Sequence, residues 1–257
     1  MLKKIATIIF FLGFDLQKAY RSIIGLPYFI RDFFILLKIR KRKNDMAVKF
    51  FPIMSDRFED SGVAKGHYFH QDLWAAKKIY LSAPSSHLDV GSRIDGFISH
   101  LLVFMNVTVL DIRKLDSDVK DLTFKQANLM DASSLDSEPL ESVSCLHTLE
   151  HSGLGRYGDP VDLDGWKKGI KNLAMITKLG GKLYLSVPVG KERIEFNAHR
   201  VFNPNTIITE AQKHGLALIS FSMIDDFGHF TESIEPGSAN EFNYGCGLYE
   251  FQRTRVE

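Results

Sequence analysis

The chain has 257 residues, 45% hydrophobic, 25% charged and 12% aromatic. This composition excludes a disordered chain or a collagen-like repeat and is long enough for a large core with an appendage. The formal net charge of +1 excludes a nucleic-acid binder working by bulk charge, and two cysteines, Cys145 and Cys246, cannot build a disulfide framework or a four-thiolate zinc site.

A reducing, cytoplasmic setting is the simpler expectation. The charge is unevenly spread: residues 1–45 hold ten Lys/Arg against three Asp, a charge of +7, and the remainder carries −6. The apolar run Ile5–Phe14 follows Lys3 and Lys4 but is only ten residues long, about half a membrane span. Asp15, Leu16, Gln17 and Lys18 follow it, with no small-residue cleavage pattern, so a cleaved leader is not expected. A second apolar stretch, Ile23–Leu37, places Tyr28, Phe29, Phe33, Phe34 and Leu37 at helical spacing and runs into Lys38, Arg40, Lys41, Arg42 and Lys43. Cations at a helix end suit the macrodipole and anionic lipid headgroups alike. The pattern predicts a basic amphipathic helical extension over 1–45, with residues 1–43 docking on an anionic membrane surface or on the rest of the chain. A helical lead-in over 46–80 and a principal domain over 81–257 follow. His70 and Trp74 fall on a helix near Gln71–Lys78, where core packing by Trp74 and capping by His70 or Asp72 outweigh a lid.

From Leu81 short apolar strands alternate with amphipathic segments. Strands are predicted at Ser86–Val90, Val107–Ile112, Leu122–Ala127, Ser142–Leu146, Lys182–Val187, Leu216–Met223 and Gly247–Gln252. Helices are predicted at Ile94–Phe104, Gly165–Lys178 and Pro204–His214. Alternation of this kind is an α/β pattern, a mostly parallel sheet covered on both faces. Such sheets bind ligands at the carboxyl ends of their strands.

Those ends carry the chemistry. After the first strand comes Asp89-Val-Gly91-Ser-Arg93-Ile-Asp95-Gly96, a glycine turn that lets backbone approach a ligand. Asp111 ends the second strand 20 positions after Gly91, where an acid would take ribose hydroxyls. The third strand leads to Asn128-Leu-Met-Asp131, able to read an adenine edge, and the fourth to His147-Thr-Leu-Glu150-His151. The fifth is preceded by Gly180-Gly181 and ends at Ser186-Val-Pro188.

On these residues the chain resembles class I S-adenosylmethionine-dependent methyltransferases over about residues 85–257. Leu88–Gly96 resembles their first motif, Val109–Asp111 the acidic end of strand two, Leu146–His151 the segment after strand four, and Leu179–Pro188 the Gly-Gly strand. His147-Thr-Leu-Glu-His151-Ser-Gly-Leu-Gly-Arg156-Tyr157-Gly-Asp159-Pro, with Phe69-His70-Gln-Asp72-Leu-Trp74 upstream, is more specific. It resembles a methyltransferase-like family of unknown function, first catalogued from nematode proteins and found also in bacterial surface-polysaccharide gene clusters. The resemblance implies a Rossmann-like fold with a mostly parallel seven-stranded sheet, S-adenosylmethionine as cofactor, and a glycan or small-molecule acceptor. Ser92 and Arg93 stand where the common glycine motif is leaner, so Arg93 either contacts the cofactor's methionine carboxylate or obstructs it.

The implied cofactor set is Asp89, Gly91, Arg93, Gly96, Asp111 and Asp131, with Leu129 and Met130 beside adenine. Asp131 reads equally well as a helix cap. Methyl transfer needs an oriented acceptor and removal of its proton. His147, Glu150 and His151 are the catalytic candidates, either histidine serving as base. Arg156, Asp159, His199 and Arg200 are candidate acceptor contacts; Arg156 and Asp159 read equally as an internal ion pair, and Tyr157 and Trp166 as packing. No metal ligand set is assigned. His147-x-x-Glu150-His151 also matches the H-x-x-E-H zinc hydrolase pattern, but that needs a long helix, which Gly153 and Gly155 oppose. A further alternative is a non-catalytic binding protein of the same fold at a membrane.

Overall fold

A computed structural model describes residues 13–40, 46–135 and 138–255. They fall into two compact units, Met1–Val63 and Ala64–Glu257.

In the first unit helix α1 spans Leu16–Arg40. Asp15 caps it, its carboxylate accepting the Lys18 N–H at 2.9 Å. Gly25 is buried against the returning chain, where a Cβ would come within 2.0 Å of the Met54 carbonyl oxygen. Phe50 packs edge-on against Phe29 and Phe33, with centroids 5.3 and 5.5 Å away. On another face of α1, Leu16, Ile23, Ile30 and Phe34 are exposed at spacings of seven, seven and four. The lead-in over 46–80 is helical only from His67. Pro52, Gly62 and Gly66 break the segment before it, leaving one 3-10 turn at Asp56–Phe58. Most of the run Ile5–Phe14 and the basic residues 41–43 lie outside the described residues. Among the described residues no helix is long and apolar enough to cross a membrane.

The second unit opens with α2 (His67–Ser82) and then alternates. Strands β1 (His87–Val90), β2 (Val107–Asp111), β3 (Leu122–Gln126), β4 (Leu140–Leu146) and β5 (Thr177–Val189) are parallel, in the order β3-β2-β1-β4-β5. The segment after β1 is a π-helical turn, Ile94–Ile98, followed by the short α3 (Ser99–Leu101). Helix α4 (Gly165–Ile176) links β4 to β5, and α5 (Pro204–Lys213) crosses from β5 to β8 (Leu216–Ile224). That crossover skips one position. The vacant place is taken by the last long strand, β10 (Gly245–Arg253), antiparallel to both β5 and β8 because it returns from β8 without a crossover helix. The two-residue β9 (Phe230–Thr231) brings the sheet to eight strands, and β6 (Arg193–Glu195) and β7 (His199–Val201) form a separate hairpin. The expected Rossmann-like, mostly parallel architecture is present.

Two cores hold the layers. Trp74, Ala75 and Ile79 of α2 pack with Phe97, Ile98 and Leu101 on one face of the sheet. Ile170 and Leu173 of α4 and Ile207 and Ala211 of α5 cover the other. Every residue of β1 is buried, so its two polar side chains need partners. His87 lies between the Ser142 and Ser144 hydroxyls, at 2.7 and 2.9 Å. Asp89 accepts from Ser144 and from both the N–H and the hydroxyl of Ser92. Burial pushes His87 down to about 3 and Asp89 up to about 6, the serine bonds of Asp89 acting in the opposite direction.

Candidate active site

The strand order reverses beside β1, and a cleft opens at the carboxyl ends of β1 to β4. Gly91 makes the turn out of β1 with φ +73°, and a Cβ there would sit 2.4 Å from Thr148 Cγ2. The position therefore demands glycine twice, for its backbone and for its space. Leu110, Ile112, Ala127 and Leu129 make an apolar wall, and Asp111 and Asn128 bring polar groups to it. Asp111 is paired with Arg113, which donates from its N–H, Nε and Nη2 at 2.8, 3.0 and 2.7 Å. The Arg113 guanidinium lies 4.7 Å over the Tyr157 ring.

A second, more polar cleft of about 1020 Å³ adjoins the first, sharing Gly91, Arg113, His147, His151 and Tyr157 with it. Its chemistry begins where β4 ends. His147 has φ +50°, an uncommon conformation for a side chain branched into a ring, and its N–H is held by the Ser186 hydroxyl and carbonyl at 3.0 and 3.1 Å. Ser186 in turn donates to Gln71 of α2 at 2.6 Å. The bend turns His147 Nδ1 to Glu150 Oε1 at 2.7 Å. Burial opposes charge on His147, but the Cys246 sulfur and the Glu150 carboxylate raise its pKa above the ordinary range. Burial also opposes charge on Glu150, and His147 overcomes it and keeps the carboxyl ionised.

His151 closes the 3-10 turn Leu149–His151 and donates from Nδ1 to the Ala198 carbonyl at 2.7 Å. Its Nε2 is 3.7 Å from Glu150 Oε1, and burial lowers its pKa. Arg156 reaches the same Ala198 carbonyl at 2.9 Å and stacks 5.2 Å over Tyr157. His199 lies 3.1 Å from Glu195. Arg93 turns outward, bonded to Asp95 at 2.8 Å and stacked 5.2 Å over Tyr68, so it borders the second cleft and does not fill the first.

Of the residues expected in the site, Gly91, Asp111, His147, His151 and Asp159 line the first cleft, and Arg93, Glu150, Arg156 and His199 line the second. Four stand elsewhere. Asp89 braces the glycine turn from inside the sheet. Gly96 lies in the π-helical turn against Asp72. Asp131 caps Ala132–Ser134, accepting the Ser133 N–H at 3.0 Å. Arg200 is 3% exposed and donates to the carbonyls of Ser152, Glu150, Asp162 and Leu163, so it holds the loop after β4 and not an acceptor. Asp159 organises that loop by accepting from Gly153, Gly155 and Tyr157, where an ion pair with Arg156 was the alternative. Of the H-x-x-E-H residues, Glu150 and His151 sit on one 3-10 turn and His147 precedes it, without the helix a hydrolase motif needs.

Sequence reasoning missed Arg113, whose signal was an arginine two residues after the acid, and treated Tyr157 as packing. It also missed His67 and Tyr68, and Tyr244 and Cys246, two pairs far apart in the chain that meet only through the fold.

The sequence profile of a family described as a Caenorhabditis protein of unknown function, DUF268, matches residues 103–235, just over half of the chain. The chain belongs to that family. No curated protein matches it. Among solved structures, this DUF268 chain is similar to the [4+2]-cyclase SpnF, with 10% identity and TM-score 0.54 over 72% of this chain and 81% of that one. It is similar to Burkholderia thailandensis 1,6-didemethyltoxoflavin-N1-methyltransferase, solved with S-adenosylhomocysteine, at 13% identity and TM-score 0.52 over 72% and 79%. It is also similar to the N-methyltransferase NodS of Bradyrhizobium japonicum WM9, solved with the same ligand, at 13% identity and TM-score 0.50 over 74% and 89%. At such identities the likeness is one of fold, here the class I methyltransferase fold. One of the three is a cyclase, so the fold alone does not name the reaction.

Proposed function

We propose that this DUF268 protein is an S-adenosylmethionine-dependent methyltransferase, the first cleft taking the cofactor and the second a polar acceptor. One observation carries the reading: Gly91 and Asp111 border one cleft at the ends of adjacent strands, directly beside the His147, Glu150 and His151 cluster. The apolar wall suits an adenine and the carboxylate suits ribose hydroxyls. Two of the fold neighbours named above are methyltransferases holding S-adenosylhomocysteine, which supports the same cofactor here. When bound, the cofactor supplies a methyl carbon on a positively charged sulfonium.

The chain's own residues divide the remaining work. Asp111 exchanges Arg113 for the ribose. Arg113 is 55% exposed, so water takes over its guanidinium when the ribose replaces it. Gly91 keeps the turn low enough for the cofactor's methionine end to pass. His151 has Nδ1 committed to Ala198, which leaves Nε2 to take the acceptor's proton. Glu150 then faces the imidazolium formed, with His147 holding the carboxylate in place. Arg93, Arg156 and His199 with the rings of Tyr68 and Tyr157 suit a hydroxyl- or amine-bearing acceptor such as a sugar or polysaccharide precursor. The exposed stripe on α1, with Lys38 and Arg40 in its last turn, supports a peripheral seat on an anionic, cytoplasmic membrane face.

Calorimetry of the full chain with S-adenosylhomocysteine tests the cofactor. Saturable binding is expected, weakened at least tenfold by Asp111→Ala, about 1.4 kcal/mol. Absence of binding would remove the methyltransferase reading. Binding without transfer of a labelled methyl group to cell extract would leave a binding protein on this fold.

A further inference from the structure

His67 begins α2, His147 follows β4, and Cys246 is the second residue of β10. One ligand atom from each lies within 4.8 Å of the other two. His147 and Cys246 are buried and His67 is half-buried. The His67 and His147 rings are nearly parallel, with centroids 5.2 Å apart. Each imidazole has an orienting partner. His147 Nδ1 faces Glu150 Oε1 at 2.7 Å, and the Tyr244 main chain hydrogen-bonds the His67 ring. His147 Nε2 is buried and faces the Cys246 thiol, its one polar neighbour there, and that thiol also makes a long contact, 3.9 Å, to the Gly247 carbonyl. A thiol is a weak hydrogen-bonding group, so these two buried atoms keep bonding capacity that an occupant would use.

We propose that His67, His147 and Cys246 form a zinc site beside the second cleft, which His147 lines. Two imidazoles and a thiolate are a borderline-soft donor set that suits zinc and not magnesium or calcium. A carboxylate behind one ligating histidine and a backbone group behind the other are the outer partners that fix ring orientation at metal sites. Tetrahedral zinc with these donors spaces its ligand atoms by about 3.3–3.6 Å and lies in the plane of each ring, so closure requires shifts of about 1 Å and a rotation of one imidazole out of the stack. His67, half-buried at the first position of α2, is the ligand that would turn. On binding, the Cys246 thiol proton and the His147 Nε2 proton pass to solvent, the sulfur bonding the metal as thiolate and the nitrogen as neutral imidazole. Three protein ligands leave a fourth position for water or the heteroatom of an acceptor, whose pKa the ion would lower. The site stands whether or not the neighbouring cleft transfers methyl groups.

The test uses the full chain, stripped with a chelator and then titrated with Zn²⁺ or Co²⁺. One ion per chain is expected, and Co²⁺ should give the intense visible absorption of a tetrahedral site together with a thiolate charge-transfer band. His67→Ala should abolish stoichiometric binding, Cys246→Ser should remove the charge-transfer band, and Glu150→Gln should weaken zinc binding about 10–100-fold. Cys145→Ala, at the other buried cysteine, should keep the band. Wild-type spectra carry the test even if a variant fails to fold. Absence of stoichiometric zinc, or a cobalt complex without thiolate charge transfer, overturns the proposal. S-adenosylhomocysteine binding to the metal-free protein, measured in parallel, reports on the methyltransferase reading separately.

Discussion

Asp111 and His151 illustrate how one side chain can be held for a later partner. Asp111 is locked by an arginine that is itself mostly exposed, so water can take over the guanidinium when a ligand claims the carboxylate. His151 is kept neutral by burial while Glu150 waits beside it to favour the protonated form. A base must be neutral to accept a proton, so transfer should stay flat through neutral pH and fall only on acidification below the ordinary histidine range. Removing the carboxylate takes away the influence that raises the His151 pKa. Glu150→Gln should therefore lower the plateau and move the acidic limb to lower pH. His151→Ala should cut labelled methyl transfer by about 10²–10⁴ while leaving S-adenosylhomocysteine affinity unchanged. Parallel pH–rate profiles and calorimetry check both; wild-type turnover in His151→Ala would move the base elsewhere.

At the scale of elements, the segment after β4 is the decisive one. It is a glycine-rich loop with no long helix, so its shape comes from side chains reaching backbone. Asp159 gathers three N–H groups, and Arg200 from β7 gathers the carbonyls of Ser152, Glu150, Asp162 and Leu163. A buried guanidinium with only backbone acceptors is tolerated because those carbonyls would otherwise be unsatisfied, each at a cost of about 1–3 kcal/mol. Arg200→Ala should destabilise the protein by ~2 kcal/mol or more and expose residues 150–163 to proteolysis. Denaturant melts and limited digestion measure this, and an unchanged midpoint would show the loop to be held by other means.

At the scale of the whole molecule, two compact units carry two different surfaces. The larger brings both clefts to the carboxyl edge of its sheet. The smaller covers one face of α1 with Phe50 and Met54 and leaves Leu16, Ile23, Ile30 and Phe34 exposed. An exposed apolar row ending in cations is suited to a headgroup layer. The full chain should sediment with vesicles rich in anionic lipid and not with neutral ones. Ile23→Ser with Phe34→Ser should weaken this about tenfold or more, since each buried side chain contributes about 1.5–3 kcal/mol. Equal recovery with both vesicle types would count against electrostatic docking.

The fold was legible because its signals are local. Apolar strands alternating with amphipathic helices dictate a covered parallel sheet, and the glycine turn, Asp111 and the His147–His151 run each announced themselves at a strand end. Asp131 is held locally, as the cap of its own turn. Asp89, Gly96 and Arg200 were misplaced for one common reason: the residue type and spacing fit a ligand, but a neighbour distant in sequence already occupies the place. Ser144 holds Asp89, Asp72 faces Gly96, and four loop carbonyls hold Arg200. Linear order specifies periodicity, turns and the chemical menu at each strand end. The assembled structure alone decides which polar atoms are already satisfied and which, like His147 Nε2 facing the Cys246 thiol, have only a weak partner. Hydrogen-bond and ligand partners are set by distance in space, and residues 67, 147 and 246 approach each other only after the sheet has formed.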